Sequence, residues 1–386
     1  MIDYALTDDQ VMIRDLARKI TEEKIIPARA ELDEQEVFPS DILNIMAQSD
    51  LMGLYIPEEY GGFGGGVFEF CLATEEFSKG CIGVSVSFAA NALGSGPILM
   101  FGSEEQKKKY LPDIAAGKKW AAFGLTEPNA GSDAGGVQTT AVLDGNEYVL
   151  NGTKQWITNG GEADVYTVVA ITDKNKGSRG ASMFIVEKDT PGFSFGNKEK
   201  KMGIRCSATR ELIFEDCRIP KENLIGKEGM GFLITMKNLD KSRPGIAAQG
   251  VGLAQGALDY AVKYSKERQQ FGKPIIAIQA VQFMLADMAT QTEAARALLY
   301  SVARSIDSGI KDYTKESAMV KLFATDVAMR VAVDAVQVMG GYGYMREYPL
   351  EKMMRDAKIL QIYEGTNQIQ RGVVGSKLVK EAISRK

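Results

Sequence analysis

The spacing of apolar residues changes period twice along this chain, and that change limits the folds open to it. Up to about residue 118, and again from about residue 226, apolar side chains recur at helical intervals. Between these stretches, short β-branched and aromatic runs alternate with turn residues. The order helical, β, helical predicts three units: 1–118, 119–225 and 226–386. A length of 386 residues is too great for one simple core and agrees with several packed units. The predicted fold class is α+β, with an N-terminal helical domain, a central antiparallel β domain and a C-terminal helical bundle.

Local signals mark the elements. Thr7-Asp8-Asp9-Gln10 and Ser103-Glu104-Glu105-Gln106 read as capping boxes, a hydroxyl at the N-cap with a glutamine three residues on. Helices are predicted from Pro39-Ser40-Asp41 and over Val67 to Lys79, on either side of a loop with five glycines between Pro57 and Gly66. Residues 84–100 are rich in Ser, Ala and Gly, which let helices approach closely or leave a groove. In the centre, Val142-Leu143 and Tyr148-Val149-Leu150 flank Asp144-Gly145-Asn146 as a hairpin. Strands are predicted at Val165 to Ala170, Ala181 to Val186 and Glu211 to Phe214. No GxGxxG joins a strand to a helix, so a Rossmann unit is excluded. Further on, helices are predicted over 245–265, 279–307 and 315–339. They break at Phe271-Gly272-Lys273-Pro274, Ser308-Gly309 and Gly340-Gly341-Tyr342-Gly343-Tyr344.

Composition removes whole classes of chemistry. There is no histidine, which excludes Ser-His-Asp and Cys-His nucleophiles, zincin motifs and histidine-ligated metals. The four cysteines, Cys71, Cys81, Cys206 and Cys217, are not at CxxC spacing, so no zinc knot or thioredoxin-type pair is predicted. Proton transfer must fall to Asp, Glu, Lys or Tyr, and any redox step to an organic cofactor. A net charge of −4 without long runs of one sign gives no nucleic-acid footprint. A mean hydropathy of −0.13 and no apolar run of spanning length predict no membrane span. The first residues lack the features of a signal peptide, which predicts a cytoplasmic protein.

Five segments mix glycine with polar side chains. Phe123-Gly124-Leu125-Thr126-Glu127-Pro128-Asn129-Ala130-Gly131-Ser132-Asp133 is a strand end and turn, or a polar loop that holds a phosphate or a heterocycle edge. Asn151 to Gly161 carries Trp156 and Thr158, which suit a core or a flat aromatic ligand. Arg268-Gln269-Gln270-Phe271-Gly272-Lys273 ends a helix, and Arg268 fits either the helix dipole or a pyrophosphate. Gln337-Val338-Met339-Gly340-Gly341 reads as a C-cap or a close backbone approach. In Tyr363-Glu364-Gly365-Thr366-Asn367-Gln368, Glu364 is a surface acid at a helix start or a general base presented by a turn.

Together, in this order, these segments resemble the flavin-dependent acyl-CoA dehydrogenases from about Leu6 to Arg371. The resemblance implies FAD held between the β domain and a C-terminal four-helix domain, in a homotetramer built as a dimer of dimers. It implies Glu364 as the catalytic base. Phe123, Leu125 and Thr126 then belong to the cofactor set, Thr126 bonding the pyrimidine side. Trp156 shields the ring, Thr158 lies near the reacting nitrogen, and Ser132 lies near the pyrophosphate and CoA. Arg268, Gln270, Phe271, Gln337, Gly340 and Gly341 reach the FAD of a neighbouring subunit, and Thr366 and Gln368 the adenosine and pyrophosphate side. Leu239, Asp240 and Arg243 line the CoA channel. No metal is implied. The implied reaction is α,β-dehydrogenation of an acyl-CoA to the 2-enoyl-CoA in fatty-acid β-oxidation, with electrons passed to an electron-transfer flavoprotein. The segments 205–210 and 240–244 lean toward short- or medium-chain relatives. Branched or cyclic acyl groups, the reverse enoyl-CoA reduction, oxygen as acceptor and a catalytically silent scaffold are the competing readings.

Overall fold

A computed structural model describes residues 4–384. The N-terminal helices are α1 (Asp8–Ile20), α2 (Ile26–Gln35), α3 (Ser40–Gln48), α4 (Val67–Gly80), α5 (Ile82–Phe101) and α6 (Glu104–Ala115). Both predicted capping boxes form. Thr7 Oγ1 accepts from Gln10 N at 3.3 Å and Ser103 Oγ from Gln106 N at 3.2 Å, each answered by the glutamine side chain.

The small residues of α5 have a visible purpose. A Cβ on Gly94 would stand 2.5 Å from the backbone nitrogen of Ala122, so glycine is what lets α5 lie against the sheet. Asn91 Oδ1 accepts from Ala121 N at 2.7 Å, and the Gly94 carbonyl accepts from Thr167 Oγ1 at 2.8 Å. The expectation that no apolar run reaches spanning length needs correction here. α5 has twenty residues and an 18-residue stretch with a mean hydropathy of 1.4, long and apolar enough to cross a bilayer. Ala, Gly and Ser spaced through the run disguise it in the sequence. The helix is mostly buried in the protein core.

The sheet comprises β1 (Ala121–Gly124), β2 (Thr140–Asp144), β3 (Glu147–Thr158), β4 (Val165–Ile171), β5 (Ala181–Glu187), β6 (Phe193–Phe195), β7 (Thr209–Pro220) and β8 (Leu224–Ile225). Its order is β6-β7-β3-β2-β4-β5-β8, with β1 on β4. The predicted hairpin is β2–β3, closed at Asp144↔Glu147 with Gly145 at φ 64°. The pairing is antiparallel except where β4 meets β1 and the first residue of β2, Thr140. β1 leads into a long loop rather than a hairpin, so nothing forces it to reverse direction.

The last unit holds α7 (Gly231–Glu267), the hairpin β9 (Gln269–Gln270) and β10 (Lys273–Pro274), α8 (Gln279–Asp307), α9 (Thr314–Met339), α10 (Leu350–Leu360) and α11 (Asn367–Ser384). α7 runs unbroken through Pro244. Proline cannot donate to the carbonyl four residues back. That carbonyl, of Asp240, accepts from Ser317 Oγ at 2.5 Å instead. α4 and α5 share one apolar core with α7, α8, α9 and α10, so the two helical units pack directly together.

Candidate active site

A cavity of about 530 Å³ lies where the sheet, α5, α7 and the segment after α10 meet. One wall comes from the β domain. The loop after β1 brings Leu125 and Thr126 to the cavity, and Glu127 anchors it from behind. The Glu127 carboxylate accepts from the Gln138 and Thr139 amides at 2.6 and 2.9 Å and from Lys154 Nζ at 2.6 Å. Lys154 also donates to the Leu125 carbonyl at 3.2 Å. It is fully buried, and desolvation draws its pKa down to about 8 although Glu127 pulls the other way.

Trp156 reaches the cavity through an irregularity in β3. The β3–β7 register is Lys154↔Leu212 and then Ile157↔Arg210, so β3 carries one extra residue. Such a bulge re-aims a side chain. Trp156 sits at φ 57° with 58% of its surface exposed, and Thr158 follows on the same wall. Thr126, Ser132 and Thr158 line the cavity, and their hydroxyls make no hydrogen bond among the described residues.

The facing wall is helical. The chain leaves α10 and turns through Glu364 at φ 51° and Gly365 at φ 93° before α11 begins at Asn367. Left-handed backbone costs a residue with a Cβ roughly 1–2 kcal/mol, so the surroundings must hold it there. Ser242 Oγ donates to Glu364 Oε2 at 2.5 Å. The Gly365 carbonyl accepts from Lys321 Nζ at 2.8 Å and from Gln370 Nε2 at 3.0 Å. The Glu364 amide N–H meets no backbone acceptor among the described residues. Burial raises the Glu364 pKa above the usual carboxylate value, against the lowering effects of Ser242, Arg243 and Lys321.

Nine of the sequence-predicted site residues share this cavity: Phe123, Leu125, Thr126, Ser132, Trp156, Thr158, Leu239, Arg243 and Glu364. Asp240 does not line it. Its carboxylate accepts from Arg243 Nη1 at 2.7 Å and from Thr314 Oγ1 at 2.6 Å, which places it behind Arg243. Arg268, Gln270, Phe271, Gln337, Gly340 and Gly341 line a separate cleft of about 550 Å³ at the end of α9. There Phe271, at φ 53° on the tip of the β9–β10 hairpin, is 92% exposed. Thr366 lines neither cavity; its hydroxyl accepts from Ile369 N at 3.3 Å at the start of α11, and Gln368 is exposed beside it.

The sequence reading missed Ser242, Lys154 and Lys321. Lys321 left a trace, since it occupies the buried stripe Ser317, Lys321, Thr325 and Ala328 of α9. A lysine on the inner face of a helix is a signal in itself.

Three family models cover the chain: the acyl-CoA dehydrogenase N-terminal domain over residues 7–118, the middle domain over 122–217 and the C-terminal domain over 229–379. The chain belongs to the acyl-CoA dehydrogenase family. It is 51% identical over 381 residues to an acryloyl-CoA reductase (NADH) of Anaerotignum propionicum, covering 98% of this chain and 96% of the relative. It matches the butyryl-CoA dehydrogenase of Megasphaera elsdenii with a TM-score of 0.95 and 48% identity, over 98% of this chain and 100% of that one. A chain from a structure of the electron transferring flavoprotein of Acidaminococcus fermentans matches with a TM-score of 0.96 and 54% identity, over 98% and 99%.

A solved acyl-CoA dehydrogenase of Bacillus anthracis, with a TM-score of 0.93 and 39% identity over 100% of this chain and 70% of that one, is complexed with FAD. The site fits it on its own terms: an exposed indole presents a flat apolar face, and three unsatisfied hydroxyls stand along the same cavity. A second, smaller pocket of about 50 Å³ adjoins Glu364, lined by Tyr55, Phe70, Ala92, Leu99 and Gly245 among others. Tyr55, whose hydroxyl lies 3.0 Å from Ser95 Oγ, belongs to its lining.

Proposed function

We propose that the protein interconverts a short-chain acyl-CoA and its 2-enoyl-CoA, with Glu364 moving the α-proton. The observation that carries this reading is the Glu364 turn. It sets a raised-pKa carboxylate and an amide N–H without a backbone acceptor on one residue, on the same cavity as Trp156. A proton α to a thioester carbonyl is weakly acidic, so the base needs heightened basicity and the enolate needs a hydrogen-bond donor. Desolvation of Glu364 supplies the first, and its own N–H supplies the second at the thioester oxygen. Ser242 holds one carboxylate oxygen, which leaves the other for the substrate. FAD, when bound, supplies the acceptor for hydride from the β-carbon. Thr126, Trp156 and Thr158 hold its ring, Ser132 its pyrophosphate side, and Leu239 and Arg243 the CoA arm.

The volume of about 50 Å³ beside Glu364, with Tyr55 and Phe70 in its lining, favours acyl groups of few carbons. The similarity to a butyryl-CoA dehydrogenase supports the same choice. The similarity to an acryloyl-CoA reductase supports the reverse direction on the same site as the second reading. We further propose an electron-transfer flavoprotein as electron partner, and a homotetramer in which Arg268, Gln270, Phe271, Gln337, Gly340 and Gly341 of the separate cleft meet the neighbouring subunit's FAD. Exposed Phe271 suits a covered position in that assembly. The test is anaerobic mixing of the FAD-bound protein with saturated acyl-CoA thioesters of graded length. Bleaching of the flavin should be fastest for short chains. Failure to bleach across the whole panel defeats the dehydrogenase reading.

A further inference from the structure

Lys321 is fully buried beneath the Glu364 turn. Its ammonium donates to the Gly365 carbonyl at 2.8 Å and to Asn367 Oδ1 at 2.9 Å. Among the described residues it makes no ion pair with a carboxylate. Asn367 is itself gripped from α9, its amide donating to Asp326 Oδ1 at 2.7 Å and to Thr325 Oγ1 at 2.9 Å. Lys321, Thr325 and Asp326 therefore form one clamp on the first residue of α11 and on the Gly365–Thr366 peptide before it.

A buried ammonium without a carboxylate partner is a poor choice for stability, because desolvation is only partly offset by neutral oxygens. An apolar side chain of similar length would serve the packing of α9 better. The clamp does, however, act where the backbone is least content. Glu364 and Gly365 both have positive φ, and such backbone persists only where its surroundings over-determine it. Fixing the Gly365 carbonyl fixes the Gly365–Thr366 peptide plane, while Gln370 Nε2 holds the Glu364 carbonyl of the preceding plane at 3.2 Å. Together they restrain the turn on which the direction of the Glu364 side chain and its N–H depends.

We propose that Lys321 is a positioning residue for proton abstraction, its ammonium locking the Glu364–Gly365 turn in the reactive geometry through the Gly365 carbonyl and Asn367. The inference rests on Glu364 being the base, and its test separates the two ideas. The variants are Lys321→Met, which removes both donors, and Lys321→Gln, which keeps an amide donor on a side chain one atom shorter. Each is purified with FAD and compared with wild type and Glu364→Gln. Three quantities are read: deuterium exchange of the peptide spanning 362–370, affinity for a non-reacting CoA thioether, and the rate of anaerobic flavin bleaching.

Lys321→Met should exchange at least tenfold faster over 362–370 alone, bind the thioether within threefold of wild type, and bleach about 100-fold more slowly, the scale of a 1 Å misplacement. Lys321→Gln should recover part of the exchange protection and part of the rate together. Bleaching within threefold of wild type in Lys321→Met overturns the proposal, whatever the exchange shows. Faster exchange across the whole chain with loss of FAD in both variants also overturns it, since the lysine would then be a general structural support. If Glu364→Gln bleaches normally, the base has been misassigned; the exchange of 362–370 still reports whether Lys321 holds the turn.

Discussion

Two fully buried lysines stand behind the two walls of the cavity, and they hold those walls by different means. Lys154 lies under the Leu125–Glu127 loop and is paired with the Glu127 carboxylate at 2.6 Å. Lys321 lies under the Glu364 turn and, among the described residues, its ammonium donates to a carbonyl and an amide oxygen. Desolvation draws their pKa values down to about 8 and about 7, the lower value falling where no carboxylate is bonded. The difference matches the tasks of the two walls. The cofactor wall needs rigidity, and a carboxylate that ties Lys154 to two backbone amides gives it. The base wall needs its turn held in place, and Lys321 donates to the Gly365 carbonyl and to Asn367 there instead of to a carboxylate.

The largest break in the comparison comes from the base itself. Glu364→Gln keeps the shape of the turn and removes the proton acceptor. The rate of flavin bleaching should fall by about 10²–10⁴-fold, while FAD content and CoA-thioether affinity stay near wild type. Near-normal bleaching would place the base elsewhere and remove the functional contrast between the walls.

Next in size is the cofactor wall. Lys154→Met leaves the Glu127 carboxylate buried with backbone donors but no counter-charge, a change that costs about 3–5 kcal/mol. The expected result is a clear drop in melting temperature and in FAD retained on purification. The double variant Lys154→Met with Glu127→Gln should recover much of both, because no charge is left stranded. Lys321→Met strands no carboxylate and should melt close to wild type. Equal destabilisation by the two single methionine variants would erase the distinction between them. Melting curves and the ratio of flavin to protein absorbance decide it.

How much of this was legible in the sequence follows from how far apart the partners lie. Glu364 was legible as a candidate because its glycine, hydroxyl and amide neighbours are contiguous, while its role as base came from the resemblance. The capping boxes and the β2–β3 hairpin were legible for the same reason. Trp156 was named, but the bulge that turns it into the cavity was not, since a bulge is a mismatch between two strands and only β7 reveals it. Ser242 is 122 residues from Glu364, and Lys321 is 44 from Gly365. Nothing local announces either contact. Asp240 was placed in the CoA channel on resemblance alone. Its neighbours Leu239 and Arg243 do line the cavity, but Arg243 and Thr314 hold the Asp240 carboxylate on the bundle side.

A finer probe of the base wall is its pH dependence. In the proposed role Glu364 acts as the carboxylate, so bleaching should rise with pH through a midpoint above the ordinary glutamate value, with a tenfold fall per pH unit well below it. Ser242 lowers that midpoint by donating to the charged form. Ser242→Ala should therefore shift the acid limb upward and slow bleaching a few-fold near the midpoint, while the rate at high pH changes little. An unmoved acid limb would mean that the 2.5 Å contact does not favour the ionised base.

The smallest effect is expected at Tyr55, and it separates packing from polarity in the acyl pocket. The ring of Tyr55 packs edge-on against Phe70 with centroids 5.6 Å apart, and both line the small pocket beside Glu364. The hydroxyl meets Ser95, whose own hydroxyl donates to the Asn91 carbonyl at 2.6 Å within α5. Tyr55→Phe removes one hydrogen bond of about 1 kcal/mol and leaves the ring in place. It should lower stability slightly and leave the chain-length profile of bleaching unchanged. Tyr55→Ala removes the ring itself, and the profile should move toward longer acyl groups by a few carbons. If Tyr55→Phe shifts the profile as far as Tyr55→Ala does, chain length is read through the Tyr55–Ser95 hydrogen bond and the position of α5. The ring would then be no barrier, and the short-chain preference would belong to the helix that packs against the cofactor wall.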